Sequence, residues 1–186
     1  MWNASVSVDG ILEFLCGMDV TIRKAEARDV PQMLELVKEL AAFERAPNEV
    51  TVTLEHMRDA GYGADPVWVG WVAEAQFANE GISELANGGI VGMAVCYERY
   101  STWKGRRLYL EDIIVTERAR GHRIGEKLFK ECARYAVEKN YSGMLWQVLD
   151  WNTDAIRFYD RFGAKYSKEW LNGSLEPDQL KKLAAQ

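Results

Sequence analysis

The run LYLEDIIV at residues 108–115 gives way, after a glycine-containing break at Thr116–Gly121, to apolar residues that recur every four positions: Ile124, Leu128, Cys132 and Ala136. The first pattern suits a strand and the second a helix. A strand that passes through a short turn into an amphipathic helix commits the chain to helix-on-sheet layering. The flanking segments agree. Val67–Ala73 and Ile90–Tyr97 are rich in strand formers, with Asn87-Gly88-Gly89 as turn chemistry before the second. Val20–Arg23 reads as a first strand, and Met144–Leu149 and Lys165–Leu171 as later ones. A helix is expected after Asp29, with Asp29 as cap, Pro31 in the first turn and Gln32 closing a capping box, and Pro47 ends it. Thr53 caps a short helix through Arg58 that stops at Gly61. Further helices are expected from Ile124 to about Glu138, from Asn152 or Thr153 to Phe162 before Gly163, and over Pro177–Ala185. The order β-α-α-β-β-β-α-β-α-β predicts one α/β domain with a mixed sheet over residues 20–186. Residues 1–19 are set apart as an N-terminal extension or an added surface element.

Composition narrows the classes. Of 186 residues, 48% are apolar and 27% charged, an ordinary globular mix. The balance of 23 Lys+Arg against 28 Asp+Glu, net −5, disfavours nucleic acid as a main partner. Cys16, Cys96 and Cys132 are odd in number and show no Cys-x-x-Cys spacing, which argues for a reducing, cytoplasmic setting. His56 and His122 stand far apart, so no metal site is signalled. No apolar run approaches the ~18 residues that suggest a membrane span. Gly10–Val20 contains Glu13 and lacks a preceding positive stretch, so it does not read as a secretory signal.

The chemistry concentrates at the join. Arg120-Gly121-His122-Arg123-Ile124-Gly125 opens a helix, and Arg118, Lys127 and Lys130 crowd the same stretch. A helix start offers unpaired N–H groups and a positive dipole end to an anion, and glycine admits it closely. The other reading is a helix start with a solvated basic face. In the strand before it, Glu111-Asp112 interrupts an apolar run. Strict alternation sends the two carboxylates to opposite faces. A carboxylate in such a strand is costly unless it forms a salt bridge, sits at a strand end near a bulge, or takes part in proton transfer.

The turn resembles the R/Q-x-x-G-x-G/A loop of the GNAT acetyltransferase superfamily, with Arg123 where the first motif glycine is usual. TIRKAEARDVPQMLELVKELAAFE, GYGADPVW, TWKGRRLYLEDIIV, RGHRIG and DWNTDAIRFYDRFGA extend the likeness, in order, to the spermidine/spermine and thialysine acetyltransferase branch over roughly residues 20–185. The resemblance implies the GNAT fold: a mixed, mostly antiparallel central sheet flanked by helices, with acetyl-CoA at a splayed strand–turn–helix. It further implies an amine acceptor, no metal and a homodimer. Glu111 becomes the base and Tyr159 the general acid, although Tyr159 beside Phe158 would otherwise read as core. Ile113, Ile114 and Val115, then Arg120, Gly121, His122, Arg123, Ile124, Gly125 and Glu126, then Asn152, Ala155 and Tyr159, become coenzyme contacts. Phe43, Glu44, Glu111, Asp112, Leu145, Trp146 and Gln147 line the acceptor site, with Trp146 as a cation–π face and Glu44 as a counter-charge.

One departure bears on the acceptor. In Tyr100–Arg107, Ser101 replaces the acid found in polyamine enzymes, and Lys104, Arg106 and Arg107 follow. This shifts the expected acceptor from spermine towards a short diamine, thialysine or another lysine-like amine. A protein lysine acetyltransferase and a non-catalytic acyl-CoA-binding module are the alternatives.

Overall fold

The computed structural model describes residues 18–77 and 89–186. Residues 1–17, with Cys16 and most of the expected extension, and the turn residues Asn87 and Gly88 lie outside the described residues. The chain divides into two compact units, Met1–Gln147 and Val148–Gln186.

The described part of the first unit is built on one sheet in sequence order: β1 (Met18–Lys24), β2 (Val69–Phe77), β3 (Gly89–Ser101), β4 (Gly105–Val115) and β5 (Met144–Trp146). β1 to β4 form antiparallel pairs, and β5 joins β4 in parallel after a helical crossover. Helices α1 (Val30–Phe43) and α2 (Leu54–Tyr62) connect β1 to β2, and α3 (Ile124–Glu138) connects β4 to β5. Val72, Met93, Val95 and Ile114 of the sheet share a core with Val30, Met33, Leu34, Leu36 and Met57. Full burial of each large side chain contributes about 1.5–3 kcal/mol. α3 packs on the sheet through Cys132, whose Sγ lies 3.6 Å from that of Cys96, and through Tyr135, edge-on to Trp71 at 5.3 Å.

Local chemistry departs from expectation at α1. Asp29 precedes the helix but does not cap it with its side chain. Its carboxylate accepts from the Glu26 amide at 2.8 Å and from Arg23 at 2.7 and 2.8 Å, fixing the turn Ala27–Asp29 instead. The Gln32 side chain accepts from the Ile90 amide at 2.9 Å and so ties α1 to β3 rather than closing a capping box. Thr53 caps α2 as expected, accepting from the His56 amide at 3.1 Å. Gly61 does not stop that helix: it lies within α2, where a Cβ would overlap the indole of Trp68.

The second unit holds α4 (Thr153–Asp160) and α5 (Pro177–Ala184). Lys165–Leu171 forms no strand, and β5 ends at Trp146 rather than Leu149. Strand-like composition needs a neighbour to pair with, and neither segment has one among the described residues.

Candidate active site

The expectation that Glu111 and Asp112 point to opposite faces fails for a specific reason. In the β3–β4 ladder Cys96 pairs with Leu110 and Val95 with Asp112, so Glu111 is an extra residue in a β-bulge. A bulge sets two residues against one and resets the alternation. Asp112 lies opposite Val95, a core residue on the α1 side. Glu111 faces Tyr97 and Tyr109, which stack at 5.0 Å; burial, followed by the Glu111 charge, raises both hydroxyls above the ordinary tyrosine range. Burial first, then the charges of Glu111 and Glu44, push the Asp112 carboxyl up to about 6. Asp112 thus stands next to Glu111 at the bulge, within the field of Glu44 at the C-terminal end of α1. Sequence reasoning missed Tyr97 and Tyr109. Their spacing of two from Val95 and Glu111 carried the signal, but the pairing register was needed to use it.

Beyond the bulge, β4 changes character. Its pairing with β5 ends at Leu110 opposite Trp146, while pairing with β3 continues to Val115. From Glu111 to Val115 the edge that would face β5 has no strand partner among the described residues. The Val115 carbonyl accepts from Arg120 Nε at 3.1 Å, and the Arg120 guanidinium lies 5.8 Å from the centre of the Phe43 ring.

The turn after β4 brings main-chain donors together. Gly121 has φ +87°, and Arg123, where the family has glycine, takes the same left-handed region at φ +58°. No side chain caps α3, and its first intrahelical bond runs from the Lys127 amide to the Arg123 carbonyl at 3.1 Å. The amides of Ile124, Gly125 and Glu126 therefore stand ahead of any intrahelical acceptor. Arg123 and Lys130 grip the Glu126 carboxylate at 3.0 and 2.7 Å and hold it at about 2. This commits the Glu126 side chain, so what the residue offers at the helix start is its amide. His122 Nδ1 lies 3.0 Å from the Arg120 carbonyl.

In β5, Leu145 pairs with Tyr109 on the Glu111 side of the sheet. The Trp146 ring sits edge-on against Phe129 of α3 at 5.4 Å, so the structure does not bring the expected cation–π face to the carboxylates. Gln147 is exposed at the end of the unit, and Phe43 is 42% exposed.

In the second unit Asn152 caps α4, accepting from the Ala155 amide at 3.1 Å. Tyr159 is buried, in edge contact with Phe158 at 5.1 Å. Gly163, at φ +75°, ends the helical turn, and the Tyr166 hydroxyl donates to the Ile156 carbonyl at 3.2 Å.

The acetyltransferase (GNAT) family model matches residues 37–164. The chain is 37% identical over 168 residues to the thialysine N-epsilon-acetyltransferase of Bos taurus, covering 89% of this chain and 97% of that one. It is 34% identical over 143 residues to the spermidine/spermine N(1)-acetyltransferase-like protein 1 of Homo sapiens, covering 77% of this chain and 20% of that one. Among solved structures, the aminoglycoside N-acetyltransferase AAC(6')-Iy in complex with CoA superposes with a TM-score of 0.64 at 15% identity, covering 86% of this chain and 96% of that one. At that identity the likeness is one of fold. A family match over most of the chain, and a relative aligned along nearly all of its length, leave one assignment: the chain belongs to the GNAT acetyltransferase family.

Proposed function

We propose that the chain transfers acetyl from acetyl-CoA to the primary amine of a small acceptor, such as a thialysine-like amino acid, a short diamine or a polyamine. The bulge at Glu111 carries the reading, because it sets Glu111 and Asp112 side by side, in the field of Glu44, where β4 leaves its β5 partner. An amine with pKa near 10.4 arrives as ammonium, which has no lone pair to react. Glu111 draws the cation in and takes its proton, directly or through water. Glu44 and Asp112 deepen the negative field. The donor end fits as well. The uncapped amides of Ile124, Gly125 and Glu126, with Arg120, His122 and Arg123 around Gly121, suit a diphosphate. The main chain of Ile113, Ile114 and Val115 suits an amide-bearing arm. When bound, acetyl-CoA supplies an acetyl group activated as a thioester. Tyr159 donates a proton to the departing sulfur, with Asn152 and Ala155 fixing the start of its helix.

We read the two units as parts of one acetyltransferase domain, since the family match crosses their boundary. The free thiols of Cys96 and Cys132 support a reducing, cytoplasmic setting. Among the described residues no helix is long and apolar enough to cross a membrane. Trp170 and Leu171 are 75% and 96% exposed, which supports a two-fold homodimer that covers them. Light scattering that gives the mass of a single chain at micromolar concentration would overturn the dimer. The central test is free-thiol release from acetyl-CoA with a panel of thialysine, lysine, putrescine, spermidine and spermine. Turnover with at least one primary amine is expected; no thiol release with any of them refutes the reading.

A further inference from the structure

The hairpin between β3 and β4 carries a second charged feature on the face that holds Glu111. Arg99 and Arg107 stand directly opposite each other in the ladder. Like charges in that position repel, and neither guanidinium is ion-paired among the described residues. Arg107 Nε is buried without an acceptor, an arrangement that needs an explanation. The chain makes room for this group: a Cβ on Gly143 would lie 3.1 Å from the Arg107 guanidinium. Both arginines line a cavity of about 300 Å³ with Ser101, Trp103 and Leu145. Two unpaired arginines, opposite in the ladder and lining one cavity, suit an anion that takes charge-assisted hydrogen bonds from both. The other basic residues of the hairpin do not share this role. Arg106 alternates to the other face and pairs with Glu98 at 3.4 Å, and Ser101 Oγ accepts from the Trp103 and Lys104 amides to close the turn.

Position selects the anion. Arg107, Tyr109 and Glu111 follow one another along one face of β4, and Arg99 lies over the Tyr109 ring at 5.7 Å. Arg107 and Glu111 are four residues apart, at most about 13 Å along the strand, which the bulge at Glu111 shortens. A lysine-length chain spans about 7–8 Å from side-chain nitrogen to carboxylate carbon. With a charge-assisted hydrogen bond of about 2.8 Å at each end it reaches about 13 Å, enough to extend along this face from one end to the other. The face is therefore dipolar: carboxylates at one end, guanidiniums at the other, and a tyrosine stack between. A polyamine would bring an ammonium to the arginine end. We propose that Arg99 and Arg107 bind the α-carboxylate of the acceptor, so that basic amino acids of about lysine length are preferred to diamines and polyamines. This rests on the acetyl-transfer reading above.

The test compares thialysine with bis(2-aminoethyl) sulfide, the same chain without its carboxylate, in the wild type, in Arg99→Gln/Arg107→Gln and in Arg107→Lys. The wild type should favour thialysine in kcat/KM by at least tenfold. The double variant should lose at least tenfold of that ratio, mainly through the KM for thialysine, and Arg107→Lys should keep part of it. A wild-type preference for the carboxylate-free amine, or a ratio that moves less than twofold in the double variant, overturns the proposal. Circular dichroism checks folding, and Arg99→Gln alone, at an exposed position, should move the ratio in the same direction. Calorimetry of both amines without acetyl-CoA separates the two claims. Arginine-dependent thialysine binding with no turnover keeps the anion site and sinks acetyl transfer; turnover that is indifferent to both arginines does the reverse.

Discussion

Asp112→Asn should make the folded chain more stable, by an amount that grows with pH. The side chain faces the α1 core beside two other carboxylates, and its folded pKa is about 6, against about 3.9 for an ordinary aspartate. Because the folded value is the higher one, the stabilising contribution is fully present below the ordinary value and is lost as pH rises through about 6. Above both values the ionised group costs about 3 kcal/mol, at 1.36 kcal/mol per tenfold difference in proton affinity. Asparagine resembles the protonated acid and avoids this cost. Between the two pKa values the gain from the substitution grows from roughly half of this cost at pH 5 to nearly all of it, about 3 kcal/mol, at pH 8. Urea unfolding of both proteins at these two pH values measures the difference, which should widen by about 1 kcal/mol or more. In thermal melts at pH 8 the variant should gain several degrees. A difference that does not change between pH 5 and pH 8, or a variant less stable than the wild type at pH 8, would refute the argument that burial and like charges crowd this carboxyl.

Tyr159→Phe should lower kcat by about 10²–10⁴-fold and leave acetyl-CoA binding close to wild type, read by steady-state kinetics and calorimetry; turnover within twofold would make Tyr159 a packing residue. Glu111→Gln should show its largest deficit near pH 7 and a shrinking one towards pH 9–10, where the amine deprotonates unaided; a pH profile parallel to wild type would remove Glu111 as base. Gly61→Ala should cost about 1–3 kcal/mol despite the better helix propensity of alanine, because the new methyl meets the Trp68 indole; an unchanged melting temperature would show that the indole can step aside.

Periodicity within one segment was enough to locate α3, whose buried Ile124, Leu128, Cys132 and Ala136 are the residues that recur every four positions. The β4–turn–α3 join, where the coenzyme site is proposed, was legible for the same reason. What failed depended on partners. Met144–Leu149 and Lys165–Leu171 have strand-like composition, but only Met144–Trp146 meets a neighbouring strand. The bulge at Glu111 exists only in the register between β3 and β4, so a single strand read alone sends its side chain to the wrong face. The aromatic ring of Trp146 suggests a cation–π role, yet Trp146 is out of phase with Leu145 and its ring meets Phe129 of α3, away from the Tyr109 face. Arg99 and Arg107 lie eight positions apart in sequence, and their opposition emerges only when the hairpin closes.

The unpartnered edge of β4 divides the protein's capacity for change. Main-chain amides and carbonyls are the same whatever side chains they bear, so a ligand read by Glu111–Val115 through its backbone is shielded from most point substitutions. The acceptor end proposed above is built from side chains, such as Glu44, Tyr97 and the two hairpin arginines, and a single substitution changes its chemistry. A chain made this way can exchange the amine it serves while keeping its donor. Relatives should therefore diverge first in the β3–β4 hairpin and at the end of α1, with the geometry of the strand edge persisting beneath very different sequences.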